Sequence, residues 1–467
     1  MKLQLISNRL LAALAVAGLI LSACAPAATQ APAATEAPAQ KAKIQFWSFG
    51  SEDQKMPDGS LVGDWYRANL IKPFMAANPD IEVEYAIRGM EAGGTTLFVD
   101  TALAAGEQPD VYNDSIFRIA KYAHKSLFLP LDPILTAEKI ATFEPSWIPA
   151  LTRDGHQWGI LTTNSFPDAL IVNRAIFREA GVENLLPKDP DRDWTTDDFE
   201  KACEAISNGA GRFCTLFFAK TPSYDHAMFA WLTTFGCRRF VPGDYSKVID
   251  NNPQCVAGHE WMMSLLDEGL AVPGPAGLVD DDMDAYLLNG SIAVGSGGWY
   301  ELGLVTAGKA DKSLKTEWDP YMVNYPHLPG QDPKENPLAN LGGAGYGIFK
   351  SGDAAREAAA LRFVDYATSP EFVKKQLIAA GGALAGIPLI KGIDIKVLYG
   401  DEANPAWILR MAEERGVIDM GYTANNFNLL RAEWAKMRQA AWSGDLSIEE
   451  ALKVYEAAAN AALQAAP

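Results

Sequence analysis

Phe74-Met75-Ala76-Ala77-Asn78-Pro79-Asp80-Ile81-Glu82-Val83-Glu84-Tyr85 holds a helix end, a stop and a strand in one run. Upstream, Trp65 to Ala77 spaces its apolar residues along one helical face, and Asn78-Pro79-Asp80 ends it, because proline cannot continue a helix. Downstream, Ile81 to Tyr85 alternates apolar and polar residues as a half-buried strand does. Ahead of the helix, Ile44-Gln45-Phe46-Trp47 alternates likewise and gives onto the turn Ser48-Phe49-Gly50-Ser51. Thr95 to Ala105 repeats the helical spacing and Gly106 closes it. Pro109-Asp110-Val111-Tyr112 then begins another strand, which opens into Asn113-Asp114. Strands and helices in alternation predict an α/β protein on a mainly parallel sheet, with any ligand beyond the strand carboxyl ends.

A second α/β stretch opens near Gly155-His156-Gln157-Trp158-Gly159-Ile160. It continues through the strand Ala169 to Asn173 into a helix, Arg174 to Ala180, closed by Gly181. Thr195 is a predicted N-cap with Asp197 and Asp198 in the first turn. Asp284 to Leu288 reads as helix, Ser291 to Val294 as strand, and Gly295 to Tyr300 as a turn carrying two aromatics. Ala354 to Thr368 and Ser447 to Leu463 are further helices, the second opened by a capping box of Ser447 and Glu450. No internal repeat is present.

The N-terminus is of another kind. Lys2 and Arg9 flank an apolar core, Leu10 to Ile20, too short to span a bilayer and suited to an export signal over residues 1–23. Leu21-Ser22-Ala23-Cys24 resembles a bacterial lipobox, with Cys24 as the lipidated residue. Residues 24–42, mostly Ala, Pro, Thr and Gln, read as a tether. Export to an oxidising compartment makes two disulfides plausible among Cys203, Cys214, Cys237 and Cys255. Of the three pairings, short loops favour Cys203 with Cys214 and Cys237 with Cys255. The net charge of −18 argues against nucleic acid and anionic lipid heads as partners.

Catalytic signatures are scarce. There is no Gly-x-Ser-x-Gly elbow and no phosphate-binding Gly-x-x-x-x-Gly-Lys-Ser/Thr loop. Met263 stands where a zinc protease helix beginning at His259-Glu260 would need its second histidine. Asp280, Asp282 and Asp284 have calcium-loop spacing, but Ala285 replaces the glycine and Ser291 the closing Glu, so they read as a solvated acidic helix start. No metal or cofactor is expected. A pair of glycosidase carboxylates, which meet only in the fold, stays open as an alternative.

Several ordered motifs together resemble the extracellular solute-binding proteins of ABC importers, in the sugar-binding branch related to maltose-binding protein. They are Phe74 to Ile81, Ala105-Gly106-Glu107-Gln108-Pro109-Asp110-Val111, Leu170 to Asn173 with Phe177 and Ala180-Gly181, and Asn289-Gly290-Ser291-Ile292-Ala293 followed by Gly298-Trp299. Gly342-Gly343, Arg362 to Tyr366 with Ser369-Pro370-Glu371, and Gly444 to Leu452 complete the set. The resemblance implies the type II periplasmic-binding-protein fold: two α/β lobes joined by a multi-crossing hinge, with a ligand cleft between them. Lobe one is expected over 43–150 plus 341–386, and lobe two over 151–340 plus 387–467. It further implies a monomer anchored by lipid on the extracytoplasmic face, with an ABC permease as partner and a sugar as solute. A polyol phosphate, polyamine or peptide is the alternative solute.

Sugar sites combine flat aromatic faces with neutral polar groups. The resemblance places a stacking aromatic at Trp299, and strand-end geometry brings Ser48, Ser51, Asn113 and Asp114 to the cleft rim, although such residues also favour turns for local reasons. Phe166 falls where relatives often carry an acidic residue, with Asp168 nearby. Tyr224, Gly343 and Phe427 complete the candidate set. With Asp114 the only charge among these, a neutral sugar is the expected solute.

Overall fold

The computed structural model describes residues 41–88, 97–144, 151–165, 167–207, 211–242, 244–339, 342–380, 386–394, 397–398, 403–417 and 420–465; for Leu97, Trp299, Ala310, Asp311 and Ala403 it describes the backbone only. The expected export signal, Cys24, nearly all of the expected tether and Phe166 lie outside the described residues.

The strand, helix, strand reading at the front of the chain holds. β1 (Ala42–Phe49) takes its first residue from the expected tether and pairs in parallel with β2 (Ile81–Arg88) and β3 (Val111–Ser115). The helix between β1 and β2 starts earlier than its spacing suggested, at Val62, and loosens into a π turn over Arg67–Ile71. A hairpin, β4 (Thr152–Arg153) and β5 (His156–Gln157), turns at Asp154-Gly155, both at positive φ (53° and 78°), which is what an Asp-Gly turn supplies. β6 (Ile160–Asn164) follows. The chain then builds a second sheet from β7 (Leu170–Asn173), β8 (Val294–Ser296) and β9 (Pro320–Val323), and returns with β10 (Gly343–Ile348) and β11 (Ile387–Pro388). The first sheet has the order β11-β6-β10-β3-β1-β2 and the second β8-β7-β9.

The expectation of mainly parallel sheets needs correction. β10 runs antiparallel to β3 and β6, and β7 runs antiparallel to both its neighbours. Helical return connections make strands parallel only while the chain stays in one lobe. β7 and β10 enter their sheets from the other lobe, at the edge where the resident strands end, so they run the opposite way.

Aromatic side chains pack against each sheet within one continuous buried cluster. Phe46 of β1 lies 5.1 Å from Tyr85 and 5.0 Å from Phe363, ring to ring, and Phe363 meets Phe74 at 5.0 Å. In the second unit Trp231 is wholly buried, 5.4 Å from Phe199 and 5.0 Å from Tyr325. Cys203 bonds Cys214 and Cys237 bonds Cys255, the short-loop pairing. The helix Ile448–Gln464 opens on Ser447 and Glu450, each bonding back to the other's backbone.

Two local expectations shift. The strand expected at 291–294 lies at 294–296, and the expected turn over 295–300 is divided. Gly297 and Gly298 alone break the chain, at φ 96° and 70°, and Trp299 already begins the helix Trp299–Asp311. Residues 160–164 and 387–388 bond into the six-stranded sheet. No described helix is long and apolar enough to cross a membrane.

Candidate functional site

The pairing registers show which strand ends lie side by side in each sheet. Phe49 pairs with Arg88 at the ends of β1 and β2, Ser48 with Asn113, Ala344 with Ser115 and Gly343 with Asn164. One edge of the first sheet therefore gathers Ser48, Asn113, Asp114 and Gly343. In the second sheet Leu170 pairs with both Ser296 and Val323, so β7 begins where β8 and β9 end. The chain passes from the first edge to the second within 165–169, and this crossing is bonded to the returning segment by Asp168 N to Ala339 O (2.6 Å) and Ser165 N to Gly342 O (3.0 Å). The two edges thus border one seam.

On the lobe-one side the candidates are largely committed to their own scaffold. Ser48 is buried and its hydroxyl is 2.7 Å from that of Tyr85. Asn113 donates to Gly345 O (2.8 Å). Asp114 is buried against Arg118 (2.7 Å) and accepts from the Tyr112 hydroxyl, so its charge is neutralised within the lobe. The Arg118 guanidinium lies over the Phe49 ring at 4.7 Å. Ser51 is exposed and bonds Asp53 within its own turn. A Cβ on Gly343 would meet Thr163 O at 2.6 Å, so strand packing alone explains this glycine.

The lobe-two side offers more. Tyr224 takes left-handed backbone (φ 56°) as the cap of the helix Asp225–Thr233, which turns its half-buried ring towards the strand ends. The ring lies 4.8 Å from that of His226 and 6.2 Å from that of Tyr300, which is 44% exposed. His226 is held by Asp168 at 2.7 Å, both buried. Gly297 leaves room for the cluster, because a Cβ there would lie 2.7 Å from Tyr224 Cε1 and 3.1 and 3.2 Å from the two Glu301 carboxyl oxygens. Gly297 N donates to the Tyr325 hydroxyl (3.3 Å), which donates to Ala227 O (3.3 Å).

Glu301 is fully buried and neither carboxyl oxygen has a formed hydrogen bond. The Tyr224 phenol is close enough to affect its titration, but not in the geometry of a formed bond. Burial, then the Asp284 charge, pushes the Glu301 carboxyl well above the usual range. Asp284, with Asp281 and Asp280 beside it, is pushed up to about 7, chiefly by burial. Asp280, Asp281 and Asp282 open the helix Asp280–Leu288, and half-buried Asp284, its fifth residue, acts on Glu301 through its charge.

A third element closes the seam. Phe427 is buried, 5.1 Å from Tyr422 and 6.0 Å from Phe117 of the lobe-one helix Ile116–His124. Arg431, one turn on, bonds Asp225 (2.8 Å) and lies over Phe117 at 5.0 Å. His124 Nε2 lies 2.6 Å from Thr423 O. The side chain of Trp299 is outside the description; its backbone stands at the seam, directly after Gly298. A groove lined by Asn252, Glu260, Glu449 and Lys453 draws on lobe-two residues alone, so occupancy there could not report on both lobes. Among the described residues no group of three His, Cys, Asp or Glu side chains could hold a metal ion.

Glu301, His226, Tyr300 and Tyr325 were not in the sequence-derived candidate set, and Asp168 entered it only as a neighbour of Phe166. The one available signal was the spacing of Tyr300 and Glu301 directly after Gly-Gly-Trp.

Residues 69–394 match the family model described as bacterial extracellular solute-binding protein. Among solved structures, the chain is similar to a solute-binding protein of an ABC transporter from Thermotoga lettingae bound with alpha-D-tagatose (TM-score 0.72, 19% identity, 90% of this chain and 99% of that one). It is also similar to maltose-bound MalE3 of T. maritima (TM-score 0.67, 19% identity, 89% and 98%). The GacH receptor of Streptomyces glaucescens, determined unliganded and with acarbose, compares at TM-score 0.70, 16% identity, 91% and 100%. No curated protein sequence matches the chain.

Proposed function

The chain belongs to the bacterial extracellular solute-binding proteins, and from that premise we propose that it captures a carbohydrate between its two lobes and delivers it to an ABC permease. The observation that carries this reading is the seam, where the strand ends of two sheets meet across short crossings and are lined from lobe two by Tyr224, Tyr300 and the Gly297-Gly298 turn. Aromatic faces at a glycine-lined strand end suit sugar rings. The sugars named for the Thermotoga and Streptomyces proteins support the class. Ligand that touches both walls only in the closed state shifts the lobes towards closure, and a membrane partner can read that shape.

In this reading Trp299 is the stacking residue and Phe166, in the first crossing, a further contact. Tyr224 is a contact from lobe two, while Asp114 and Gly343 serve the scaffold. Lobe one comprises the six-stranded sheet with its helices, including 151–164 and 387–391, and lobe two begins at the crossing near 165. Residues 1–23 act as the export signal, Cys24 carries the lipid, and the tether holds a monomeric body off the membrane. The solute leaves chemically unchanged.

The test is the melting temperature of the tether-free protein against mono- and oligosaccharides, polyol phosphates, polyamines and peptides. A ligand that binds only the folded state at a hundredfold excess over its Kd stabilises it by about 2.7 kcal/mol. We expect a shift with a carbohydrate class, recovered unaltered, and loss of the shift in Trp299→Ala. A shift confined to non-sugars, or chemical conversion of the sugar, would overturn the reading.

A further inference from the structure

Buried polar groups in folded proteins are almost always hydrogen-bonded, and a buried carboxyl with two unpartnered oxygens is an exception that needs a cause. Glu301 is that exception, fully buried with both oxygens unpartnered. It lies at the seam, since its oxygens and the Tyr224 ring flank Gly297 at the end of β8. His226 Nε2, on a ring 4.8 Å from that of the same tyrosine and tilted to it, is a second buried atom without a partner. The charged groups acting on Glu301 are Asp284 from the helix Asp280–Leu288 and Asp168 from the crossing, both acidic. Asp280 and Asp281 add to the field at Tyr300. On the opposite wall, Asp114 is already paired with Arg118.

Resting on the reading of a carbohydrate cleft, we infer that the carbohydrate carries a basic nitrogen, as an amino sugar or an oligosaccharide of amino sugars, whose ammonium docks against Tyr224 and Tyr300 and is neutralised by Glu301 and Asp284. Aromatic faces and carboxylates are the combination that holds an ammonium. The ammonium N–H groups would give the Glu301 oxygens the donors they lack. A metal ion is a poorer fit to this acidity, because the described side chains offer no three-ligand group. The net charge of −18 adds long-range attraction for a cation and gives nothing to a neutral sugar.

The proposal carries a proton balance. Burial and the Asp284 charge make the Glu301 carboxyl hold its proton more tightly than an ordinary carboxyl in the empty site, and pairing with an ammonium needs its carboxylate. Binding of the ammonium therefore favours loss of that proton to solvent, while the sugar keeps its own.

Titration calorimetry of the tether-free protein, in buffers of differing ionisation enthalpy, tests this with glucosamine oligosaccharides, their N-acetylated counterparts and neutral glucose oligosaccharides. Expected are preferential binding of the free amines and proton release. Glu301→Gln should weaken amine binding by roughly thirtyfold or more and abolish the release. Should Glu301→Gln not fold, exposed Tyr300→Ala gives a second reading, a loss of about threefold or more confined to the amine series. If N-acetylated or neutral sugars bind as tightly as the amines, without proton release, this inference falls and the carbohydrate reading stands. If no carbohydrate binds, both fall, and spermidine binding alone would count as that outcome.

Discussion

Asp114 keeps its carboxylate 2.7 Å from Arg118 in a buried pair, and that pairing decides what the lobe-one edge can offer a solute. A charge so matched holds the strand end to its helix and leaves little field for a ligand. Across the seam Asp284 is in the opposite position, pushed up to about 7 by burial and by Asp281 and Asp280. The sign of its linkage to folding follows. A carboxyl whose folded value exceeds its unfolded value contributes stability that is fully present below the unfolded value and is lost as pH rises through about 7. Relative to wild type, Asp284→Asn should therefore gain melting temperature between pH 4 and pH 8, and a difference that stays constant with pH would refute the assignment. Such residues were poorly legible in the sequence. Asp114 stood out as the only charge in the candidate set, but its neutralisation depends on a partner four residues along a buried helix turn. Glu301 gave only its place after Gly-Gly-Trp as a sign, because its burial arises where the helix start meets Tyr224 and Asp284, far apart in the chain.

Among the elements, alternation and turn chemistry marked most strands and helices, and loop length pointed to the disulfide pairs. Strand direction escaped, since it depends on which lobe the chain comes from. β7 and β10 look like any buried strand, yet each enters from across the seam and runs against its neighbours. β10 also lies unusually close to β6: a Cβ on Gly345 would fall 1.9 Å from Ile160 O, and one on Gly343 2.6 Å from Thr163 O. Gly343→Ala should accordingly cost about 1–3 kcal/mol of folding stability by overpacking, measured by urea denaturation, with little change in solute affinity at temperatures where the variant is folded. Unchanged stability with a large loss of affinity would instead make Gly343 a place of ligand approach.

As a whole molecule, the chain joins two sheet-based units where Asp168 N bonds Ala339 O and Ser165 N bonds Gly342 O, and the helix Phe427–Trp442 rests on the helix Ile116–His124 through Phe117. Two lobes and a cleft were legible from the order of motifs, while the crossing points were not, because strand pairing settles them. In the proposed function, closure about these segments lets one solute be recognised by both walls and presented to a permease. Solution small-angle scattering on the tether-free protein, with and without a saturating carbohydrate that stabilises it, tests this most directly. The account predicts a smaller radius of gyration in the liganded state, with no such change in Trp299→Ala at the same concentration. Saturation by a carbohydrate with the radius unchanged would contradict capture between the lobes.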